Sequence, residues 1–418
     1  MRSYRDLFRT PEFTPLFLTA AAQTVARTTS GLALATLVYR ETASPLLSAL
    51  AMFGPSLAHV LGATLLMSAA DRLPPRAAMT GLALLHAAGT AVMALPTLPI
   101  TALFTVLLVK GLAESVGGGV RWGLLNEILP KDGYLLGRSL FNMMSGIMQI
   151  AGYAAGGILV AVLSPHLSLL LAATLHATAA AAARLTLTRR RPRASGRPSV
   201  RATWRANAAL WSSPPRRHVY LALWIPNGLI VGCESLYVPY APEAAGTLFA
   251  CAAFGMLAGD ITVGRLVPPS RRTRLGTPLL LLLATPYLLF ALHPPVPVAA
   301  ALVAVASIGF GASLVHQERL TTLTPPHLSG HALGLHSSGM LTLQGLSATL
   351  SGTLAQLTTP AITMTAFAAT SLTVTTALAA ASSRHHKRHA SAERPAPSTP
   401  TTGSRTPTAH ETKGNDHT

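Results

Sequence analysis

Long apolar runs recur along most of the 418-residue chain. In a helix, about 20 apolar residues span the ~30 Å hydrocarbon core of a bilayer. The runs are rich in Ala, Leu and Gly, and they do not alternate as the strands of a membrane barrel would. Only 11% of the residues are charged, against roughly 25% in soluble globular domains. The sequence therefore predicts an all-α membrane protein.

Twelve runs are predicted to be transmembrane helices, with approximate limits 13–39, 45–69, 77–97, 100–122, 139–163, 167–187, 219–240, 244–263, 275–293, 296–316, 330–356 and 361–382. The predicted organisation is a cytoplasmic N-terminus (1–12), a six-helix half (13–187), a basic cytoplasmic linker (188–218), a second six-helix half (219–382) and a disordered cytoplasmic tail (383–418). The first run is too long for the apolar region of a signal peptide, so we expect it to remain in the protein.

Basic residues concentrate in the connections at one end of the predicted helices. The linker alone holds nine arginines and no acidic residue, whereas Arg40 is the basic residue at the other end. Cytoplasmic loops of membrane proteins carry the excess of Lys and Arg. We therefore place the chain in the cytoplasmic membrane with both termini in the cytoplasm, and we attribute the formal charge of +18 to topology, not to nucleic-acid binding.

Sequence signals for enzymatic or metal chemistry are weak. Cys233 and Cys251 lie inside apolar runs, so we predict neither a disulfide nor a zinc framework. His385, His386 and His389 lie in the predicted disordered tail, which lacks the fixed geometry of a metal site. The sequence contains no Gly-x-x-x-x-Gly-Lys-Ser/Thr loop for ATP. We expect a monomer that is not an enzyme and needs no metal or cofactor.

The two predicted halves resemble each other at a constant offset. Asp71-Arg72-Leu73 lies 193 residues before Gly264-Arg265-Leu266 (264 − 71 = 193). Four glycines have another glycine at the same distance: Gly62, Gly137, Gly146 and Gly152. Tandem six-helix halves of equal orientation are the parallel repeats of a transporter fold, in which the substrate site lies near the bilayer midplane between the halves.

The loop after the second predicted helix resembles the signature of the major facilitator superfamily, Gly-x-x-x-Asp-Arg-x-Gly-Arg-Arg. Here it reads Met67-Ser-Ala-Ala-Asp71-Arg72-Leu73-Pro74-Pro75-Arg76. The acid-Arg pair and the last Arg are kept, whereas Met67, Pro74 and Pro75 replace two glycines and a basic residue. The resemblance implies two six-helix halves around a central cavity.

The resemblance also implies a gate at the cytoplasmic face. Asp71, Arg72 and Arg76 would clamp the two halves together there when the carrier opens outward. At the corresponding place in the second half we expect a gating or structural role for three residues: Asp260, Gly264 and Arg265. The alternative is a loop that is basic only because it sets orientation.

Residues 126–157 resemble the exporters of macrolides and enterobactin within the same superfamily. The fifth predicted helix carries Gly152-Tyr153-Ala-Ala-Gly156-Gly157, where those exporters have Gly-Pro-x-x-Gly-Gly. The resemblance implies efflux, although Tyr153 replaces the proline. Simple helix packing is the alternative role of the glycines at this position: Gly146, Gly152, Gly156 and Gly157.

Ionisable residues inside the predicted helices are the candidates for substrate and proton binding: Arg27, Lys110, Glu114, Glu234 and Glu318. Each costs roughly 2.5–3.5 kcal/mol on insertion scales, so a functional role is the default hypothesis. They lie in the first, fourth, seventh and tenth predicted helices, which line the central cavity according to the family resemblance. Helical spacing adds three polar residues to the same faces: Gln23, Arg121 and Asn227.

Arg27 needs an acidic partner from another helix, and Glu114 is predicted to supply it. An intrahelical pair between Lys110 and Glu114 is the alternative, with Lys N-terminal to Glu in the less favourable order. Glu234 has no basic residue within its own helix, so we expect it to carry the proton. Three further histidines, His59, His86 and His176, are expected to pack helices and are left out of the mechanism, with a proton-relay role as the alternative.

Together these features predict a secondary active transporter that exports a small organic molecule in exchange for protons. An importer that uses proton symport would need the same parts. A transport-inactive membrane sensor or scaffold is a third possibility, because the family motifs are altered at Pro74, Pro75 and Tyr153. Substrate identity, direction and coupling ion are not predicted by the sequence.

Overall fold

The computed structural model describes residues 4–66, 73–192, 200–325 and 328–392, which contain helices and short connections and no strand. We number the main helices α1 (Phe13–Thr42), α2 (Pro45–Leu66), α3 (Pro75–Met93), α4 (Ile100–Ile128), α5 (Lys131–Val162), α6 (Pro165–Thr186), α7 (Pro214–Glu234), α8 (Ala245–Ile261), α9 (Pro269–Ala284), α10 (Val296–Ile308), α11 (Ser329–Leu357) and α12 (Pro360–Ala392).

Short helical pieces complete this set. Tyr4–Phe8 precedes α1, and Val200–Trp211 lies between α6 and α7. Five pieces follow main helices closely: Tyr237–Tyr240 after α7, the π-helical turn Thr262–Leu266 after α8, the 3₁₀ segment Thr285–Leu292 after α9, and Gly309–Gly311 with Ala312–Thr322 after α10.

Prolines define where several helices begin, since α2, α3, α6, α7, α9 and α12 each start at a proline. The first turn of a helix does not need the N–H that proline lacks, and the fixed φ of proline suits it. Ser164 also caps α6, with its side chain accepting from Leu167 N at 3.1 Å. Because few residues separate consecutive helices, neighbours such as α1 and α2 run antiparallel.

Nine helices within the described residues are long and apolar enough to cross a membrane. They do not include α1, α3 or α11, which are richer in polar residues or shorter in their apolar window. The prediction of an all-α, multi-pass membrane protein is therefore confirmed at this level.

Several elements extend beyond the apolar runs. Helix α4 continues to Ile128, α5 begins at Lys131, and α12 continues to Ala392, ten residues into the predicted tail. The predicted linker contains the helix Val200–Trp211, and α7 begins within it at Pro214. Hydropathy marks only the part of a helix that suits lipid, whereas Ala, Arg and Lys propagate a helix equally well in water.

The α1–α6 and α7–α12 groups pack through α2 against α11 and through α5 against α8. Basic residues including Arg76, Arg190 and Arg265 lie at one end of the helices, here called the basic end. At the opposite end Gly157 of α5 lies against Gly246 of α8, where a Cβ on Gly246 would fall 2.4 Å from Gly157 Cα. The two groups thus approach backbone to backbone at the opposite end, which small residues allow.

Candidate functional site

A cavity of about 620 Å³ lies among α1, α2, α3, α4 and α6. Ser337 and Leu341 of α11 complete its wall. Seven ionisable side chains line it: Arg27, His59, His86, Lys110, Glu114, Arg121 and His176. The structure thus brings together four of the residues predicted from sequence and three histidines that were assigned only to packing.

Glu114 is the centre of an ionic cluster in this cavity. Its Oε1 lies 3.0 Å from Arg27 Nη1, and its Oε2 lies 2.9 Å from His86 Nε2. The expected pair between α1 and α4 is therefore present. The Arg27 side chain is 51% exposed and that of Glu114 31% exposed, whereas that of His86 is only 9% exposed. One face of the cluster opens to the cavity, and the His86 side is enclosed.

Two side-chain contacts join α3 to α4, one helical turn apart. His86 and Thr90 are four residues apart on α3, and Lys110 and Glu114 are four apart on the antiparallel α4. His86 faces Glu114, while Lys110 Nζ donates to Thr90 Oγ1 at 2.7 Å. The buried lysine therefore bonds a neutral hydroxyl, and the alternative of a Lys110–Glu114 ion pair is not what the structure shows.

At the basic end of the cavity, one tryptophan ring contacts two arginines. The Arg121 guanidinium lies 5.3 Å from the ring centroid of Trp122, and that of Arg138 lies 5.5 Å from the same ring. Such cation–π contacts add to the positioning of both arginines. Within the part of the chain that the structure describes, Arg121 Nε is buried without a hydrogen-bond partner. A ligand that accepts a hydrogen bond at this position would satisfy that donor.

The charges of the cavity do not balance. Arg27, Lys110 and Arg121 bring three basic groups, and Glu114 is the acidic group among the lining residues. Glu114 is already shared between Arg27 and His86. A ligand with a carboxylate or another anionic group would supply the missing negative charge.

The other predicted binding residues lie outside this lining. Glu234 of α7 is 7% exposed, and its Oε1 has no hydrogen-bond partner among the described residues. Asn227 accepts from Gln344 Nε2 at 2.9 Å and is 2% exposed. Gln23 is half-buried in α1, and Glu318 is exposed near the basic end. Glu234 and Asn227 thus form a separate, drier region in α7–α12.

The predicted gate is only partly visible, because Asp71 and Arg72 lie outside the described residues. Arg76 donates to the carbonyl of Arg184 at the end of α6. In the second group, Arg265 Nη2 donates to the hydroxyl of Tyr4 at 2.6 Å. This hydrogen bond links the start of the chain to the end of α8 at the basic end.

The rest of the second motif is held locally. The carbonyl of Gly264 accepts from Arg272 Nη2 at 2.8 Å, which fastens the π-helical turn after α8. Asp260 is exposed at the end of α8.

The glycines of α5 face two different helices. A Cβ on Gly152 would lie 1.8 Å from Thr28 Oγ1 of α1, and one on Gly156 would lie 3.1 Å from Thr29 Cα. Gly146 and Gly157 instead face α8, at Leu257 and Gly246. One glycine face joins α5 to the helix that carries Arg27, and the other joins the two groups of helices.

The structure corrects the view of the three histidines as packing residues alone, because all three line the cavity. His86 contacts Glu114, and its ring stacks on that of His176 with centroids 5.5 Å apart. The available sequence signal was the presence of ionisable groups midway along three helices. Their helices, the second, third and sixth, are not those that the family resemblance assigns to the cavity.

The chain matches the sequence profile of the Major Facilitator Superfamily over residues 16–317. It belongs to that superfamily. No curated protein sequence matches it. The superfamily prediction is thus confirmed, and family membership makes the chain a transport protein, not an enzyme.

Solved transporter structures share this fold. A POT family transporter in complex with a thioalcohol-conjugated peptide is 13% identical, with a TM-score of 0.71 over 89% of this chain and 96% of that one. A POT family transporter in complex with 5-aminolevulinic acid is 13% identical, with a TM-score of 0.69 over 88% and 95%. A mutant of the nucleoside transporter NupG is 15% identical, with a TM-score of 0.67 over 87% and 99%. At these identities the likeness concerns the fold.

Proposed function

We propose that the chain is a proton-coupled secondary transporter that moves a small organic molecule through the cavity of α1–α6. One observation carries this proposal: the cavity sets three basic groups against Glu114 alone, which Arg27 and His86 already share. An enclosed ionic site of this kind suits an anionic or zwitterionic substrate. The ligands in two structurally similar transporters, a thioalcohol-conjugated peptide and 5-aminolevulinic acid, have this chemistry.

We further propose twelve membrane-spanning helices in two six-helix halves, with both termini in the cytoplasm. The glycine contacts support a repeat. A Cβ on Gly62 would lie 2.6 Å from Leu112 O of α4, and one on the equivalent Gly255 would lie 2.1 Å from Ala304 O of α10. Cysteine tags at residue 200 and in the tail should react only after the membrane is opened, and labelling of either in intact cells contradicts this topology.

Two directions of transport have separate support. The glycines of α5 resemble those of macrolide and enterobactin exporters, which favours export in exchange for protons. The positive cavity favours proton symport of an anion, which would drive import. Direction is therefore the first quantity to measure.

For coupling, we propose that Glu234 binds the transported proton and that Glu114 holds the basic groups of the cavity. Glu234 is buried, with an unpartnered oxygen, in the described structure. A carboxyl in such a site is easier to accommodate when it is neutral. Alternating access could change its contact with water, and hence its proton affinity, during a cycle.

At the basic end, we propose that Asp71 and Arg72 gate access, with the Arg265–Tyr4 hydrogen bond as a contact of the closed or closing state. Asp71→Asn should leave the protein inserted but slow transport. An unchanged rate and conformational equilibrium in this variant reduce Asp71 to an orientation signal.

The test of the function is flux in proteoliposomes of defined orientation. Radiolabelled lactate, succinate, glutamate and 5-aminolevulinate, with uncharged glycerol as control, are followed with and without a proton gradient. A gradient-dependent flux that Lys110→Met reduces supports the proposal. If no compound moves with or without a gradient, while purified protein still binds cellular partners, the sensor or scaffold alternative is favoured.

A further inference from the structure

We propose that the substrate is a small organic anion, and that His86 makes its binding depend on a proton by controlling whether Arg27 is available to it. This inference rests on the proposed transport function and names the substrate class and regulation of the same site. It follows from the geometry around Glu114, where Arg27 and His86 contact different oxygens of one carboxylate.

The two partners of Glu114 are placed differently. Arg27 is half exposed to the cavity and holds Glu114 Oε1 through a single 3.0 Å contact, so it can reach a ligand. His86 is enclosed and holds Oε2 at 2.9 Å from the other side. A ligand in the cavity can therefore compete for Arg27, while His86 retains the carboxylate.

The charge on His86 determines whether a ligand anion can displace Glu114 from Arg27. With a neutral His86, Arg27 and Glu114 cancel, and an anion that takes Arg27 leaves the carboxylate with no cation in direct contact. With a protonated His86, the carboxylate stays neutralised after Arg27 turns to the ligand. Imidazole is the side chain that changes charge near neutral pH. Proton binding at His86 and anion binding at Arg27 therefore assist each other.

The groups that face His86 from neighbouring helices are consistent with a single proton in the site. Arg27 comes from α1, His59 from α2, His176 from α6, and Lys110, Glu114 and Arg121 from α4. His176 stacks on His86, so both rings cannot readily be charged at once. Lys110 bonds Thr90 and Arg121 lies on Trp122, which leaves Arg27 as the cation joined to Glu114.

The proton at His86 is a second coupled proton beside the one proposed for Glu234, and driven transport requires both. The coupling at His86 sets the direction of that transport. When a proton and an anion bind together, an inward proton gradient drives uptake of the anion. Export in exchange for protons requires the two to exclude each other. The cluster therefore favours the import alternative.

The test measures binding to the purified full-length chain at pH 5.5 and 7.5. The probes are lactate, succinate, glutamate, benzoate and 5-aminolevulinate, each compared with its amide or alcohol analogue. For a bound anion, we expect the dissociation constant to rise by up to about tenfold per pH unit between pH 5.5 and 7.5, because one proton is linked to one anion. His86→Gln should bind weakly at both pH values, and His86→Arg, which is always charged, should bind equally at both.

His331→Gln is the matched control, since His331 is exposed on α11 and lies outside the cavity lining, and it should keep the pH dependence. The thermal stability of each variant without ligand shows that it is folded. Anion binding that is independent of pH in the wild type, or pH dependence that survives in His86→Gln and disappears in Glu234→Gln, overturns the inference. Proton-driven flux of a cation or neutral compound, with no anion bound, also overturns it but leaves the proposed transport function standing.

Discussion

The α1–α6 and α7–α12 regions hold their deepest carboxylates in opposite ways. Glu114 lies in a cavity between Arg27 and His86, with 31% of its side chain exposed. Glu234 is 7% exposed, and one of its oxygens has no hydrogen-bond partner in the described structure. Nearby in the second region, Asn227 and Gln344 bond each other with no formal charge.

The difference indicates that the two regions have different roles. A carboxylate in contact with an arginine keeps its charge and organises a binding site. A dry, unpartnered carboxyl favours the neutral form and can take up or release a proton when its surroundings change. Breaking each contact separately should therefore give different phenotypes, described next from the largest effect to the smallest.

Glu114→Gln should have the largest effect, because it leaves Arg27 and His86 without a carboxylate. Removing one partner of a fully buried pair costs about 3–5 kcal/mol, and exposure to the cavity reduces this to about 2–3 kcal/mol. Folding stability should fall by that amount, and transport should be strongly reduced in both driven and exchange modes because the site loses the carboxylate that Arg27 and His86 contact. Glu318→Gln, a change at an exposed glutamate outside the cavity, is the control for flux and thermal unfolding. Equal behaviour of the two variants would remove Glu114 from the site.

Glu234→Gln should separate coupling from binding. The amide keeps the size of the side chain but cannot carry a proton, so proton-driven accumulation should fall to the level seen without a gradient. Exchange at zero gradient should continue, and stability should change by less than about 1 kcal/mol because no ion pair is lost. Accumulation against a gradient at the wild-type level would show that the proton site is elsewhere.

Gly152→Ala should disturb the charged region without changing a charge. Its Cβ would meet Thr28 Oγ1 at 1.8 Å, beside Arg27 on α1. Overpacking of this kind costs about 1–3 kcal/mol. Gly81→Ala is the matched control, since its Cβ would have no atom within 4 Å, and it should change the unfolding free energy by less than about 0.5 kcal/mol.

Asn227→Ala should weaken the uncharged region less, by about 1 kcal/mol for the lost hydrogen bond to Gln344. A double-mutant cycle with Gln344→Ala measures the pair. If the cycle gives no coupling energy, the 2.9 Å contact contributes nothing to stability.

The smallest effect concerns Glu12, a carboxylate that lies just before α1 and pairs with Arg190. Arg190 holds both its oxygens at 2.8 Å, and Thr188 donates from its N–H and hydroxyl. Burial alone would raise the pKa of Glu12, but the hydrogen bonds from Arg190 and Thr188 bring it below the ordinary value. Its contribution, about 0–1 kcal/mol, is therefore present above the unfolded pKa near 4.3 and is lost as pH falls through the lower folded pKa. Thermal melts of the wild type and Glu12→Gln between pH 3 and 6 should converge at the acid end.

The sequence by itself determined the helical membrane class, the superfamily and the pairing of Arg27 with Glu114. These follow from local features: apolar length, the loop motif after α2, and the cost of an isolated charge in a bilayer. The same reasoning placed Gly152 and Gly156 at a helix contact, and the structure has them against α1.

Only the tertiary structure decided which polar groups meet. His86 and Thr90 become partners of Glu114 and Lys110 because α3 runs antiparallel to α4 with matching four-residue spacing. The same packing leaves Glu234 outside the cavity and brings His59 and His176 into it. Helical periodicity fixes the face on which a residue lies, but the neighbour opposite that face depends on how helices distant in sequence rotate and pack, and no single helix encodes that.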